Sequence, residues 1–144
     1  DVTGVQTCAF PLSDISEPVV RATSEALYAA NAVEGIPEPY RRAWMVSEGA
    51  SFRMADTVRS LVTARPLNLF GEWPMKQRYD AIFCRNVMIY FDKELQERAH
   101  KLFYESLCKF GILGLGAKES LRFSPYEEKY EGLDSRNKLY RRVQ

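Results

Sequence analysis

The chain has 144 residues, which suits one domain, and its composition of 46% hydrophobic and 27% charged residues is that of an ordinary globular protein. Its formal net charge of +1 at pH 7 predicts no nucleic-acid or membrane partner. No apolar run approaches the roughly 20 residues that cross a bilayer, and no charged segment followed by an apolar one predicts secretion.

The three cysteines and the single histidine give little basis for a metal site. Cys8, Cys84 and Cys108 show no C-x-x-C spacing, and an odd number of cysteines does not suit a set of disulfides. A zinc site is therefore not expected. The sequence predicts reduced thiols in a cytoplasmic protein.

The first eleven residues, DVTGVQTCAFP, have no helical or strand period that connects to the rest of the chain. They closely resemble the translation of a common sequencing-library adapter. Because foreign segments are left out of fold reasoning, residues 1–11 are predicted to be non-native, with the native protein continuing upstream of Leu12. The alternative is a genuine but irregular N-terminal strand.

A helix is predicted to start after Ser16, a good N-cap, because Glu17 and Pro18 suit a first helical turn. It is expected to run to about Ala32, and its apolar face is marked by Val19, Val20, Thr23 and Leu27. The glycine and prolines between residues 35 and 39 then predict a loop.

Residues 40–65 predict a small subdomain inserted into the main fold. The segment AWMVSEGASFRM favours a hairpin that turns near Glu48 and Gly49. The following ADTVRSLVTARP is compatible with a further strand or a short helix, and Pro66 ends either.

The clearest pattern begins at Tyr79–Cys84, a nearly continuous apolar run typical of a strand buried on both faces. Asp92 is predicted to cap a helix that ends at Gly111. The helix is expected to carry an apolar stripe of Leu95, Ala99, Leu102, Phe103, Leu107 and Phe110. His100 falls off that stripe, so it is predicted to lie on the surface.

The rest of the chain predicts a strand and a closing hairpin. ILGLGA is typical of a strand, while EKYEGLD and KLYRRV flank a turn at residues 134–137. A strand, a helix and a strand in succession form a right-handed crossover. The sequence therefore predicts an α/β fold with a mainly parallel sheet.

Polar side chains fall at the predicted carboxyl ends of three strands, where open α/β sheets bind ligands. They are Asp14, Asn68 and the pair Arg85–Asn86. A carboxylate such as Asp14 can accept from both ribose hydroxyls, but it could instead help to cap the following helix. Asn68 alone is more often a turn former, and Arg85 and Asn86 could pair with a neighbouring acid and the backbone.

Other catalytic motifs find little support. Gly114-x-Gly116 weakly echoes a dinucleotide-binding loop, but Glu119 occupies the third glycine position and the pattern comes late in the chain, so close packing explains it better. There is no G-x-S-x-G motif, and the only histidine lies in the middle of a helix.

A family resemblance is carried by the segment YDAIFCRNVMIYFDKELQERAHKLFYESLCKFGILGLGAKESLRF. It resembles the C-terminal half of the chemotaxis receptor methyltransferases, the CheR family, most closely through FCRNVMIYFD. Upstream, SDIS looks like the family's second-strand acidic motif and PLNLF like its short Asn-Leu segment. The resemblance covers nearly everything after residue 11, with 36–64 the loosest part.

The resemblance implies a Rossmann-like S-adenosylmethionine-dependent methyltransferase core, incomplete at its N-terminus, over residues 12–144. A small antiparallel β subdomain, residues 37–64, would be inserted in it and would dock the receptor. The implied cofactor contacts are Asp14 at the ribose, Asn68 and Leu69 at the adenine, and Arg85 and Asn86 near the amino-acid part. Tyr90 would lie beside the transferring methyl.

The implied activity is methylation of glutamates on chemoreceptor cytoplasmic helices, with S-adenosylhomocysteine as product, by a cytoplasmic monomer. The family's glycine-rich first strand and helical N-terminal domain should precede Leu12, so this chain on its own is expected to be inactive. Two alternatives remain open: a non-catalytic module that binds cofactor or receptor within a larger signalling protein, and a methyltransferase acting on a small molecule.

Overall fold

The computed structural model describes residues 10–71 and 79–144. These residues form two compact units that divide after Asn68. We call them the N-terminal unit and the C-terminal unit. Nine of the eleven residues predicted to be non-native lie outside the described part, while Phe10 and Pro11 extend the first strand.

The N-terminal unit contains one parallel strand pair. β1 (Phe10–Asp14) runs parallel to β5 (Val62–Pro66), with Asp14 opposite Pro66. The chain between them forms, in order, α1 (Glu17–Glu25), β2 (Leu27–Ala29), α2 (Ala30–Val33), α3 (Glu38–Trp44), β3 (Met45–Glu48), β4 (Ser51–Met54) and α4 (Asp56–Arg59).

The β2, β3 and β4 strands form an antiparallel sheet in the order β2-β4-β3. The predicted hairpin is confirmed, because β3 and β4 are joined through Gly49, whose φ of 60° suits a residue without a Cβ. The segment that was compatible with a strand or a helix contains both, since α4 precedes β5. β2 also lies before the predicted start of the subdomain at residue 37.

The first helix ends earlier than predicted. α1 stops at Glu25, Ala26 adopts a left-handed conformation with φ 51°, and Leu27 belongs to β2, where it pairs with Arg53. The Arg53 guanidinium donates to the Glu25 carbonyl oxygen over 2.8 Å. The guanidinium satisfies a carbonyl oxygen at the end of the helix, and the residues that follow pair with β4 instead of extending α1. These tertiary contacts therefore outweigh the helical propensity of this alanine-rich stretch.

The C-terminal unit holds a four-stranded mixed sheet in the order β6-β7-β9-β8. Its strands are β6 (Tyr79–Cys84), β7 (Leu107–Leu115), β8 (Tyr130–Asp134) and β9 (Leu139–Arg142). β6 and β7 are parallel and are connected through α5 (Lys93–Ser106). The predicted closing hairpin is confirmed as the antiparallel pair β8 and β9.

The α/β class is confirmed, but the mainly parallel sheet is not. Among the described strands, two pairs are parallel and four are antiparallel. β6 lies at the edge of its sheet, and Phe83 on it is 67% exposed, so burial on both faces is not found in the described structure. The pattern of an apolar run does not by itself distinguish an edge strand from a central one.

Helix α5 begins as predicted and ends sooner. The backbone N–H of Leu95 donates to Asp92 Oδ1 over 2.9 Å, which confirms the N-cap. The helix stops at Ser106 rather than Gly111, because Leu107 is fully buried and pairs with Tyr79 in the sheet. Gly111 instead lies in β7, where a Cβ would come within 2.9 Å of the Cys108 carbonyl oxygen.

The core of the C-terminal unit contains one residue that was predicted to be exposed. Its buried cluster is Cys84, Met88, Ala99, Phe103, Leu107, Leu113, Leu115, Leu121 and Tyr130. His100 is only 3% exposed, so its predicted surface position is wrong. The buried residues of α5 are Ala99, His100, Phe103 and Ser106, whereas Leu107 and Phe110 of the predicted stripe belong to β7 and Phe110 is 61% exposed. The segment after β7 contacts the imidazole through the Ser120 backbone.

In residues 10–71 and 79–144, none of the helices has the length and apolar character needed to span a membrane.

Candidate functional site

The loop after β6 carries three of the predicted site residues. Arg85 and Asn86 directly follow the strand and are exposed, as expected for the carboxyl end of a strand in an α/β fold. Asn86 has φ 60°, a left-handed conformation that asparagine tolerates better than most residues. Met88–Tyr90 then form a single turn of 3₁₀ helix. The predicted charge and amide therefore stand where a ligand can reach them.

Tyr90 is held on a well-anchored turn although its own side chain is 82% exposed. Met88, two residues earlier, is 2% exposed and packs in the core. The Gln96 side-chain amide donates to the carbonyl oxygens of Met88, over 3.2 Å, and Phe91, over 3.0 Å. Core packing of Met88 and the Gln96 hydrogen bonds thus hold the turn in place, while the Tyr90 phenol remains accessible to solvent.

Glu119 is a functional candidate that sequence reasoning treated only as an interruption of a glycine pattern. The side chain is 5% exposed, and its carboxylate accepts from four backbone N–H groups. The donors are Gly116 at 2.6 Å, Met88 at 2.8 Å, Val87 at 2.9 Å and Asn86 at 3.1 Å. The only signal in the sequence was an acidic residue four positions after the end of the apolar strand β7.

Close packing accounts for both glycines of the weak dinucleotide-like pattern, as the sequence indicated. A Cβ on Gly116 would lie 2.6 Å from Asn86 Oδ1 and 2.7 Å from the Asn86 nitrogen. A Cβ on Gly114 would lie 2.4 Å from Cδ1 of the Phe83 ring. The absence of a side chain at Gly116 therefore lets the loop after β6 pack closely, and its absence at Gly114 leaves space for the Phe83 ring of β6.

The buried groups near Glu119 show the effect of a dry environment. Burial, with a smaller contribution from the Glu119 charge, raises the pKa of the Cys84 thiol to about 12. Burial also lowers the pKa of His100, while Glu119, Glu97 and the Ser120 backbone act in the opposite direction. Neither group is therefore suited to carry charge at neutral pH.

Leu69 opens the C-terminal unit and is partly buried against its core cluster. Next to it, the Phe70 ring packs edge-on against Phe91 with centroids 5.0 Å apart, and the Arg98 guanidinium lies 5.3 Å from the Phe70 centroid. This contact ties the segment after Leu69 to the loop that follows β6. The adenine-lining role of Leu69 stays a prediction.

The N-terminal unit carries the other two predicted residues. Asp14 ends β1, and Asn68 lies two residues beyond β5. Because the two strands are parallel, both residues lie at the carboxyl ends of this strand pair. Asp14 Oδ1 accepts from the Ser16 N–H over 2.8 Å, and the Asp14 carbonyl oxygen accepts from Leu67 over 2.9 Å. Asp14 therefore holds the turn that leads into α1, and its side chain remains exposed. The predicted N-cap Ser16 occupies that position but makes no side-chain capping bond.

Both units thus present polar side chains at the carboxyl ends of parallel strands, an arrangement typical of α/β domains that bind nucleotide-like cofactors. Comparison with known proteins identifies the family to which this α/β chain belongs. Residues 4–137 match the family model described as "CheR methyltransferase, SAM binding domain". Because this match spans more than half of the chain, the chain belongs to the CheR methyltransferase family.

Individual relatives agree with the family match. The chain is 33% identical over 111 residues to the Rhizobium etli "Probable chemotaxis protein methyltransferase", covering 74% of this chain and 41% of that protein. It is 35% identical over 111 residues to the "Chemotaxis protein methyltransferase" of Vibrio parahaemolyticus, covering 76% and 40%. It is 32% identical over 113 residues to "Chemotaxis protein methyltransferase 2" of Pseudomonas aeruginosa, covering 75% and 40%. The chain thus spans about two fifths of the length of these relatives.

Proposed function

We propose that the protein carrying this chain transfers a methyl group from S-adenosylmethionine to glutamate side chains on the cytoplasmic helices of chemoreceptors. The observation that carries the proposal is the R-N-V-x-I-Y-F motif, residues 85–91, on an anchored loop at the carboxyl end of β6 in a chain of the CheR family. We further propose that it acts as a cytoplasmic monomer.

The donor set fits the cofactor's chemistry. A carboxylate at Asp14 suits two ribose hydroxyls, and the amide of Asn68 with the side chain of Leu69 suits a purine. The guanidinium of Arg85 and the amide of Asn86 suit the carboxylate and ammonium of an amino-acid moiety. These assignments rest on the strand-end positions of the residues and on the family motif.

The fold elements support a Rossmann-like core with an inserted subdomain. β6, α5 and β7 form a parallel β-α-β connection, and β1 and β5 form a second parallel pair. The antiparallel sheet β2-β4-β3 falls between β1 and β5 along the chain, which is where an insertion would interrupt such a core. We propose that residues 37–64 include the receptor-docking part of this segment.

The reaction needs few acid–base groups from the protein. The cofactor supplies a methyl group activated by a sulfonium. A glutamate side chain has a reference pKa of about 4.3, so the receptor residue is already a carboxylate at neutral pH and no proton has to move. The protein's part would be to exclude water and to hold the receptor carboxylate close to the activated methyl group.

The role proposed for Tyr90 is to orient the incoming carboxylate. Its phenol is 82% exposed on an anchored turn, so a hydroxyl donor faces outward beside the motif's polar side chains. The receptor carboxylate needs no deprotonation, so the reaction requires no general base from this phenol. We therefore propose orientation by hydrogen bonding rather than proton transfer.

Methyl transfer to a receptor tests the function directly. The gene product is incubated with S-adenosylmethionine labelled in its methyl group and with a purified chemoreceptor cytoplasmic fragment, and base-labile label is counted on the receptor. Base-labile methyl esters are expected, and their loss after Glu→Gln replacement of the receptor methylation sites is the control. Binding of S-adenosylhomocysteine without any transfer would support the non-catalytic module instead, and transfer to a small molecule alone would exclude the receptor.

A further inference from the structure

The carboxylate of Glu119 organises the loop that carries the family motif. Its Oε1 accepts from the N–H groups of Val87 and Met88, and its Oε2 from those of Asn86 and Gly116. An ionised carboxylate offers about four acceptor positions, so these bonds use its capacity fully. Three of the four donors, Asn86, Val87 and Met88, are consecutive residues. Their bonds to one carboxylate therefore fix the orientation of three successive peptide planes.

This arrangement needs a charge rather than merely a polar side chain. Glu119 is 5% exposed, and burying an ionised carboxylate is costly unless it is hydrogen-bonded. Hydrogen bonds from N–H groups to a charged acceptor are stronger than neutral ones. A glutamine of the same size would have to turn its NH₂ group toward two of the four N–H donors, whichever way the amide is oriented.

The loop conformation that results leaves the motif's side chains available. The backbone N–H groups of residues 86–88 are satisfied inside the protein, while the side chains of Arg85, Asn86 and Tyr90 remain exposed. Asn86 is held at φ 60°, a conformation that a loop without this anchor would adopt less often. Gly116 leaves the space that the asparagine needs.

We propose that Glu119 is a positioning residue that pre-organises Arg85 and Asn86 to bind the amino-acid part of S-adenosylmethionine. This inference rests on the proposed function, since it concerns how the same cofactor is held. Glu119 itself touches neither cofactor nor substrate and acts through the backbone of residues 86–88.

The first test is Glu119→Gln in the protein as its gene encodes it. Binding of S-adenosylhomocysteine is measured by calorimetry at a temperature where circular dichroism shows the variant folded. Affinity is expected to fall about tenfold or more, because the loop no longer rests in the binding conformation. Hydrogen exchange should accelerate selectively at the amides of Asn86, Val87 and Met88, which a general loss of stability would not single out.

A matched control is available in the same β7–β8 connection. The carboxylate of Glu127 accepts from one backbone N–H, that of Phe123, over 2.8 Å at an exposed position. Glu127→Gln removes the same charge within eight residues of Glu119 and should leave cofactor-product affinity and the exchange of residues 86–88 unchanged. An equal loss of affinity in the two variants would overturn the proposal, because net charge would then explain both.

If Glu119→Gln fails to fold, a second pair of variants tests the same contact between Glu119 and the loop. Gly116→Ala keeps the charge of Glu119 but drives a methyl group between the two partners, because the added Cβ would lie 2.7 Å from both the Asn86 backbone nitrogen and Glu119 Oε2. Gly114→Ala meets side chains and not the motif loop: the ring of Phe83, which is exposed and can turn away, and Leu139 Cδ2 at 3.4 Å, an ordinary contact distance. Gly116→Ala should weaken binding about tenfold or more, whereas Gly114→Ala should change it little.

The outcomes separate this inference from the proposed function. If the unaltered protein binds no S-adenosylhomocysteine, the cofactor assignment itself is wrong. If it binds, and if Arg85→Ala weakens binding while Glu119→Gln and Gly116→Ala do not, the proposed function stands and the positioning role of Glu119 is refuted. A selective loss in both Glu119→Gln and Gly116→Ala supports it.

Discussion

At the scale of single residues, the loop after β6 combines exposed polar side chains with buried residues that fix its backbone. Arg85, Asn86 and Tyr90 are exposed, while Met88 and Glu119 are buried immediately beneath them. An exposed side chain on a loose loop would lose conformational entropy on binding a ligand. Anchoring the backbone first reduces that loss, so we expect ligand binding at the motif to depend also on the buried residues beneath it.

The contribution of Asn86 is best isolated by Asn86→Gly, because glycine keeps the left-handed backbone that alanine would strain. Removal of the amide should weaken S-adenosylhomocysteine binding by more than about 1 kcal/mol, since a polar partner on the cofactor is left unpaired. Isothermal titration calorimetry measures the change. An unchanged dissociation constant would remove Asn86 from the site.

Tyr90→Phe should act on turnover and spare binding. The hydroxyl is proposed to orient the receptor carboxylate, so kcat for receptor methylation should fall while the affinity for S-adenosylhomocysteine stays the same. Steady-state kinetics with calorimetry on the same preparation provide the comparison. Equal losses in kcat and in cofactor affinity would place the phenol against the cofactor instead.

At the scale of secondary-structure elements, features governed by neighbouring residues were predictable from the sequence. Strand β6 was predicted with its correct bounds, and the Asp92 cap and both hairpins were also anticipated. Each of these depends on a local periodicity, a cap or a turn residue. The polar strand-end residues of the candidate site followed from the same local rule, because a strand's end is visible where its apolar run stops.

Features governed by distant contacts were not predictable. α1 ends where Arg53, 28 residues away, reaches the Glu25 carbonyl oxygen. His100 is buried because α5 is covered on more than its predicted stripe. Glu119 meets residues 86–88 across 31 to 33 positions of sequence, so no local pattern marks it as an anchor.

The N-cap of α5 offers a test at this scale. Asp92→Ala should lower the free energy of unfolding by about 1 kcal/mol, because the Leu95 N–H loses its acceptor and the helix start loses a favourable negative charge. Urea titration followed by circular dichroism measures it. Asp92→Asn, which retains an acceptor oxygen, should lose less, and an equal loss in both variants would show that the charge alone matters.

At the scale of the whole molecule, pH dependence should report the buried imidazole. Burial lowers the pKa of His100 below its ordinary value of about 6.5, with Glu119 and Glu97 acting against that shift. The unfolded chain therefore binds a proton more readily than the native one as the pH falls. Stability is full above about pH 6.5 and declines as the pH falls below it.

Urea unfolding at pH 7.5 and at pH 5.5 tests this expectation. The free energy of unfolding should be lower at pH 5.5, and His100→Phe should flatten the difference, because His100 is the only histidine in the sequence. The carboxylates titrate at lower pH and contribute less in this interval. An identical pH dependence in the variant would assign the effect to another group.

The bonds of Glu119 also set an order in which the C-terminal unit can become structured. Residues 86–88 receive their anchor from a residue more than thirty positions later, beyond the whole of α5 and β7. Closing so long a segment costs entropy, which the pairing of β6 with β7 and the packing of α5 in the core help to offset. The family motif is therefore expected to become ordered on a nascent chain only after residue 119 has been synthesised and β7 has joined the sheet.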